Sequence, residues 1–75
     1  MKQEQQQNFL IAYTVDRMTE FLIEDHELSI ATALQFLYNS DTYQKLTQTE
    51  NGLYEQSPSY VYELLNREYL TGVAE

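Results

Sequence analysis

Apolar residues recur with helical spacing from Phe9 to about Asp25. Ile11, Val15, Met18 and Leu22 stand at i, i+4, i+7 and i+11, with Leu10 and Phe21 flanking the same arc. That spacing predicts a helix over about 9–25 with one buried stripe. The opposite face carries Asp16, Glu20 and Glu24 at i, i+4 and i+8, with Arg17 beside them. Like charges so placed weaken a helix by roughly a few tenths of a kcal/mol per pair. The row therefore reads first as a solubilising face and second as a binding stripe. Residues 1–8 are polar and Gln-rich, and a frayed or disordered lead-in is expected there, ahead of a single domain over 9–72.

Glu24-Asp25-His26-Glu27 interrupts the pattern and reads as a loop. Ser29 then supplies an N-cap for a second helix over about 30–39, with Ile30, Ala33, Leu34 and Leu37 inside and Phe36 on the other side. Extending that helix would bring Asp41 onto the apolar face. Ser40 or Asp41 is instead expected to cap a short third helix, about 41–48, holding Tyr43 and Leu46. Asn51-Gly52 marks a turn, since both residues tolerate positive φ, and Leu53-Tyr54 is expected to cross in extended form near 53–55. Ser57-Pro58 pairs a capping hydroxyl with Pro at the first helical position, opening a last helix over about 58–70 that Gly72 stops. Val61, Leu64 and Leu65 form its inner face, with Tyr62 and Tyr69 at one edge. The expected fold class is all-α, a compact bundle of three to four helices.

Composition sets bounds on what such a bundle does. At 75 residues the chain has room for one small domain, which buries only about 60% of its unfolded surface. A partner or a second copy is a plausible source of added stability. The lack of Cys excludes disulfides and thiolate zinc sites. Twelve acids against four bases give a net charge of -8, which disfavours binding to nucleic-acid phosphates. The longest apolar run is Phe9–Tyr13, far short of the roughly 20 residues of a membrane span, and the start of the chain lacks a secretory signal. No membrane association and a cytoplasmic location are expected.

Candidate chemistry is sparse. His26 is the single His and sits among three acids, which suits a charged surface group better than a general base. Consecutive positions cannot all face one ion, so no metal site is expected, and two glycines twenty residues apart cannot cradle a phosphate. No catalytic residue, cofactor or metal is assigned, and an enzyme is the weakest class. Glu68 is the one position that breaks its pattern, falling between Val61 and Leu64 on the apolar side of the last helix. It reads either as a rim residue or as a polar lock, bonded to Tyr43 or to the Ser40 end of the third helix. Seven Tyr outnumber three Phe. Tyr suits core edges and interfaces, and Tyr54, Tyr60 and Tyr62 cluster around Ser57-Pro58 as candidates for a recognition surface.

Across roughly residues 9–70 the chain resembles a family of small bacterial proteins of unknown function. The likeness rests on Ala33 through Ser40, on Thr42-Tyr43 and Leu46, on Gly52-Leu53-Tyr54, and on Ser57 through Leu65. In that family a helix leads into an aromatic-x-Ser-x-x-Tyr-x-x-Leu segment, a short Leu-aromatic crossing and a final helix. The resemblance implies a small helical domain with no established activity. Family genes often lie near toxin-like ones, including ADP-ribosyltransferase-like proteins, which implies an antitoxin-like or adaptor role.

The leading expectation is a non-enzymatic interaction module that binds a protein partner, a basic one by complementarity, through Asp16, Glu20, Glu24, Tyr54, Tyr60 and Tyr62. Two alternatives stand beside it. The acids could mimic a phosphate backbone and block a DNA-binding protein, or the wide apolar arc of helix one could meet its own copy in a homodimer. Five of the twelve acids lie between Asp16 and Glu27, on helix one's outer face and the loop expected after it, with Arg17 alone to offset them, so the charge points to one end of the molecule.

Overall fold

The computed structural model describes residues 2–72, with side chains over 7–48 and 50–72. Four helices make up an all-α globule: α1 (Lys2–His26), α2 (Ile30–Tyr38), α3 (Asp41–Thr47) and α4 (Pro58–Thr71). Two single 3₁₀ turns, Thr49–Asn51 and Leu53–Glu55, link α3 to α4, and the described residues include no strand. A helix of 25 residues is about 37 Å long, and α1 has that length and spans the 37 Å long axis of the molecule. α4 packs along it most extensively and α2 less so, while α3 packs chiefly on α4 and α2.

Met18, Leu22, Ala33, Leu37, Leu46, Val61 and Leu65 are fully buried, so all four helices feed one core. Burying a side chain of Leu size stabilises by about 2 kcal/mol, and these residues are the main source of cohesion. Val15, Met18 and Leu22 of α1 fall inside as their spacing requires, with Ile11 half-buried beside them.

Local chemistry sets the helix ends. Ser29, Ser40 and Ser57 are the N-caps of α2, α3 and α4, accepting from Thr32, Tyr43 and Tyr60 N–H. Gly72 closes α4 in the left-handed region at φ 81°, its N–H donating to Glu68 C=O.

Four expectations need correction. Residues 2–8, read as a lead-in, continue α1. Gln, Glu and Lys are good helix formers, and Gln7 Nε2 donates to Tyr54 Oη at 3.2 Å, fastening this turn to the linker; Met1 lies outside the described residues. The crossing near 53–55 is a 3₁₀ turn, not an extended strand. Gly52 at φ 72° turns the chain, Asn51 Oδ1 accepts from Leu53 N–H, and Gln56 N–H donates to Leu53 C=O. These local bonds occupy backbone groups that an extended crossing would leave unpaired.

The third correction concerns α2, whose inner face is rotated towards Phe36. Ile30 is 64% exposed because it is the first helical residue and its side chain points back beyond the helix start. Phe36 is half-buried with its ring edge-on to Tyr69 at 5.1 Å. In α4 the buried face likewise runs through Val61, Tyr62, Leu65 and Glu68, leaving Leu64 half-buried. Finally, Glu24, Asp25 and His26 are the last turn of α1 rather than a loop, because Asp25 and His26 are tied to α4.

Candidate functional site

Three groupings carry the polar chemistry of the molecule. At the α3 N-terminus the first three backbone N–H groups have no partner within the helix. Ser40 Oγ accepts from Tyr43 N–H at 3.0 Å and donates to Leu37 C=O at 2.6 Å, joining the end of α2 to the start of α3. Glu68 supplies the rest from α4. Its Oε2 accepts from Asp41 N–H at 2.9 Å, and its Oε1 accepts from Thr42 N–H at 3.1 Å and Thr42 Oγ1 at 2.9 Å. A carboxylate at a helix N-terminus also gains from the helix dipole. Glu68 is thus a polar lock and no rim residue; it bonds Asp41 and Thr42, while Ser40 serves the same helix end by accepting from Tyr43 N–H.

The second grouping ties the end of α1 to α4. Tyr62 Oη donates to Asp25 Oδ2 at 2.7 Å, and Tyr62 packs its ring on Phe21 with centroids 5.1 Å apart. Burial raises the Tyr62 phenol pKa well above its ordinary value of 10.0, and the hydrogen bond and charge of Asp25 push it further up. One turn on, His26 Nε2 bonds Asn66 Oδ1 at 2.7 Å, and its ring lies on Tyr69 with centroids 4.2 Å apart. No group of three or more metal-ligating side chains occurs among the described residues. Asp25 and His26 spend their polar groups on internal bonds.

The third grouping is the solvent face of α1. Asp16, Glu20 and Glu24 are all exposed, and Glu20 accepts from Arg17 at 2.9 Å. Phe9 and Tyr13 extend the same line towards the N-terminus, because 9, 13, 16, 20 and 24 recur at helical spacing on one arc. Phe9 is 68% and Tyr13 51% exposed. This second stripe, aromatic at one end and acidic at the other, faces away from the core. Sequence reading found its acids and missed its aromatics, although the i, i+4 spacing of Phe9 and Tyr13 was available as a signal.

The chain matches no family model, no curated protein and no solved structure. Its chemistry must therefore be read from its own surface. A shallow groove of about 230 Å³ runs between α1 and the α2–α3 junction, beside the stripe. Ile11, Ala12 and Val15 form one wall, Tyr38 and Tyr43 the other, and Asn8 and Asp16 sit at the edge. Tyr38 and Tyr43 meet edge-to-face at 5.0 Å, and Tyr38 is half exposed.

The three tyrosines expected as one recognition surface do not share one role. Tyr60 is 48% exposed, but Tyr62 is buried at 9% and spends its hydroxyl on Asp25. Tyr54 is half-buried and accepts from Gln7. Only Tyr60 among them is a free-standing surface aromatic, since the i+2 step from Tyr60 to Tyr62 points the two rings to different sides of α4. No described helix is long and apolar enough to cross a membrane.

Proposed function

We propose that the chain is a non-enzymatic protein-interaction module that recognises a basic protein partner. The observation that carries this reading is the exposed row Asp16, Glu20 and Glu24 on one face of α1, set against a net charge of -8. Complementary charge accelerates encounter and selects against acidic competitors. Meanwhile Asp25, Glu68, Tyr62 and His26 are engaged in bonds that hold the helices together. An antitoxin-like or adaptor role is the form this reading takes when the partner is the product of a neighbouring gene. Phosphate-backbone mimicry is the weaker reading, because the stripe continues into Phe9 and Tyr13 rather than into further acids.

Affinity isolation from the native host at low salt, followed by reconstitution of the purified pair, tests the proposal. A complex of fixed stoichiometry whose affinity falls as salt rises supports it. Recovery of no stoichiometric protein at low salt overturns it.

A further inference from the structure

We infer that the outer stripe of α1 and the adjoining groove form one docking site for a basic amphipathic helix. The inference rests on the interaction-module reading and names the surface and the shape of the partner. From Phe9 to Glu24 the stripe covers fifteen helical steps, about 22 Å at the 1.5 Å rise of an α-helix. Its two ends differ in chemistry. At the N-terminal end stand Phe9 and Tyr13, exposed by 68% and 51%, with the apolar groove close by. At the C-terminal end stand three carboxylates one helical turn apart, Asp16, Glu20 and Glu24.

The groove has room for a large side chain but not for a typical small-molecule ligand, whose pockets start near ~300 Å³. A helix laid along α1 would place one apolar anchor in the groove and another against Phe9 and Tyr13. Lys or Arg residues one turn apart would then stand over the acids. This is the helix-in-groove mode of recognition, in which apolar anchors at i, i+3 or i+4 and i+7 supply affinity.

Charge selects this occupant over a second copy of the chain. Each copy carries -8, so self-association begins against repulsion. Two parallel copies would set Asp16, Glu20 and Glu24 against the same acids. Two antiparallel copies would set Glu24 and Glu20 against Phe9 and Tyr13, with Asp16 beside its own counterpart at the centre. The one cation beside the row, Arg17, already pairs with Glu20 within each copy.

The test uses a synthetic helical peptide of about 18 residues, with Leu on one face and Lys at i, i+4 and i+8 beside it. A scrambled peptide of identical composition and no amphipathic period is the control. Both are titrated into the isotope-labelled protein, and backbone shift changes are mapped residue by residue. Support consists of shifts centred on Phe9, Tyr13, Asp16 and Glu20, with the control binding about tenfold more weakly. Tyr13→Ser and Asp16→Asn should each weaken the amphipathic peptide severalfold, and their exposed positions leave the fold intact by circular dichroism. Equal affinity for both peptides overturns the inference in favour of charge alone. Shifts centred on another face overturn this placement and leave the interaction-module reading standing. The same shifts appearing without peptide as the protein is concentrated assign the stripe to a second copy and overturn the basic-helix occupant. No shift with either peptide up to about 1 mM also overturns the inference, while failure of the host isolation alone tells against the broader reading.

Discussion

Glu68 of α4 closes the N-terminus of α3 through Thr42, its Oε1 accepting from both the Thr42 backbone N–H and the Thr42 hydroxyl. The other oxygen takes Asp41 N–H, so one side chain satisfies two helix-end donors 26 and 27 positions away in the chain. With Ser40 serving Tyr43, every one of the first three N–H groups of α3 has an acceptor. A seven-residue helix has little stability of its own. The Glu68 contact, together with Leu46 in the core, is what holds α3 in place.

Glu68→Gln should therefore destabilise the fold by about 1–3 kcal/mol, since an amide keeps one acceptor and turns its NH₂ towards backbone donors. For a domain of this size each kcal/mol lowers Tm by roughly 4–8 °C. Thermal melts followed by circular dichroism check this. A rim carboxylate would leave Tm nearly unchanged, so an unaltered melting curve would rule out the lock.

Tyr62 links stability to alkaline pH. Its phenol pKa is raised in the fold above the 10.0 of an unfolded chain, by burial first and then by Asp25. Above pH 10 the unfolded chain loses this proton while the folded chain keeps it. The unfolded state then binds fewer protons, and stability falls as pH rises. The contribution is whole below pH 10 and is lost progressively above it as pH climbs towards the folded value. Tyr62→Phe should cost about 1 kcal/mol at neutral pH through the lost bond to Asp25. It should also flatten the decline between about pH 10 and 11.5. Urea denaturation at closely spaced pH values measures both effects; an identical alkaline slope in the variant would contradict the assignment.

Glu27 is the one non-glycine residue with positive φ among the described residues, at 53° immediately after α1. That is the position where helices commonly end on Gly in the left-handed conformation. A side chain there carries strain of about 1 kcal/mol. Glu27→Gly should stabilise the fold by up to about 1 kcal/mol, less what Gly loses in the unfolded chain. A melt of the variant at neutral pH checks the sign. Gly52 at φ 72° gives the opposite case. A Cβ there would meet nothing closer than Glu55 at 3.9 Å, so Gly52→Ala is costly through its backbone angle and not through crowding.

The sequence made the helix ends legible because the caps are local. Ser29, Ser40, Ser57 with Pro58, and Gly72 each act within a few residues of themselves, and all four stand where short-range chemistry puts them. Rotational settings of α2 and α4 were less legible. A wheel drawn for one helix cannot show that Phe36 finds Tyr69, or that Tyr62 finds Asp25 across 37 positions. The same holds for the end of α1. Four polar residues in a row carry no apolar period, yet Asp25 and His26 stay helical because α4 offers Tyr62 and Asn66 as partners. Glu68 was visible as a break in pattern, while its acceptor role depended on which helix end lay opposite.

The acidic row gives the prediction that separates function from fold most cleanly. Asp16, Glu20 and Glu24 are all exposed, and both steps along the row bring like charges one turn apart. Neutralising all three to Asn or Gln should leave stability within about 0.5 kcal/mol, because relief of repulsion offsets the lost Arg17–Glu20 pair. Binding to a basic partner should weaken strongly, and its dependence on salt should flatten, since fewer charges remain to be screened. Denaturation curves and binding isotherms at two salt concentrations test the two halves independently. If the triple variant binds as tightly as the parent with an unchanged salt dependence, the row is only a solvated face and recognition lies elsewhere on the molecule.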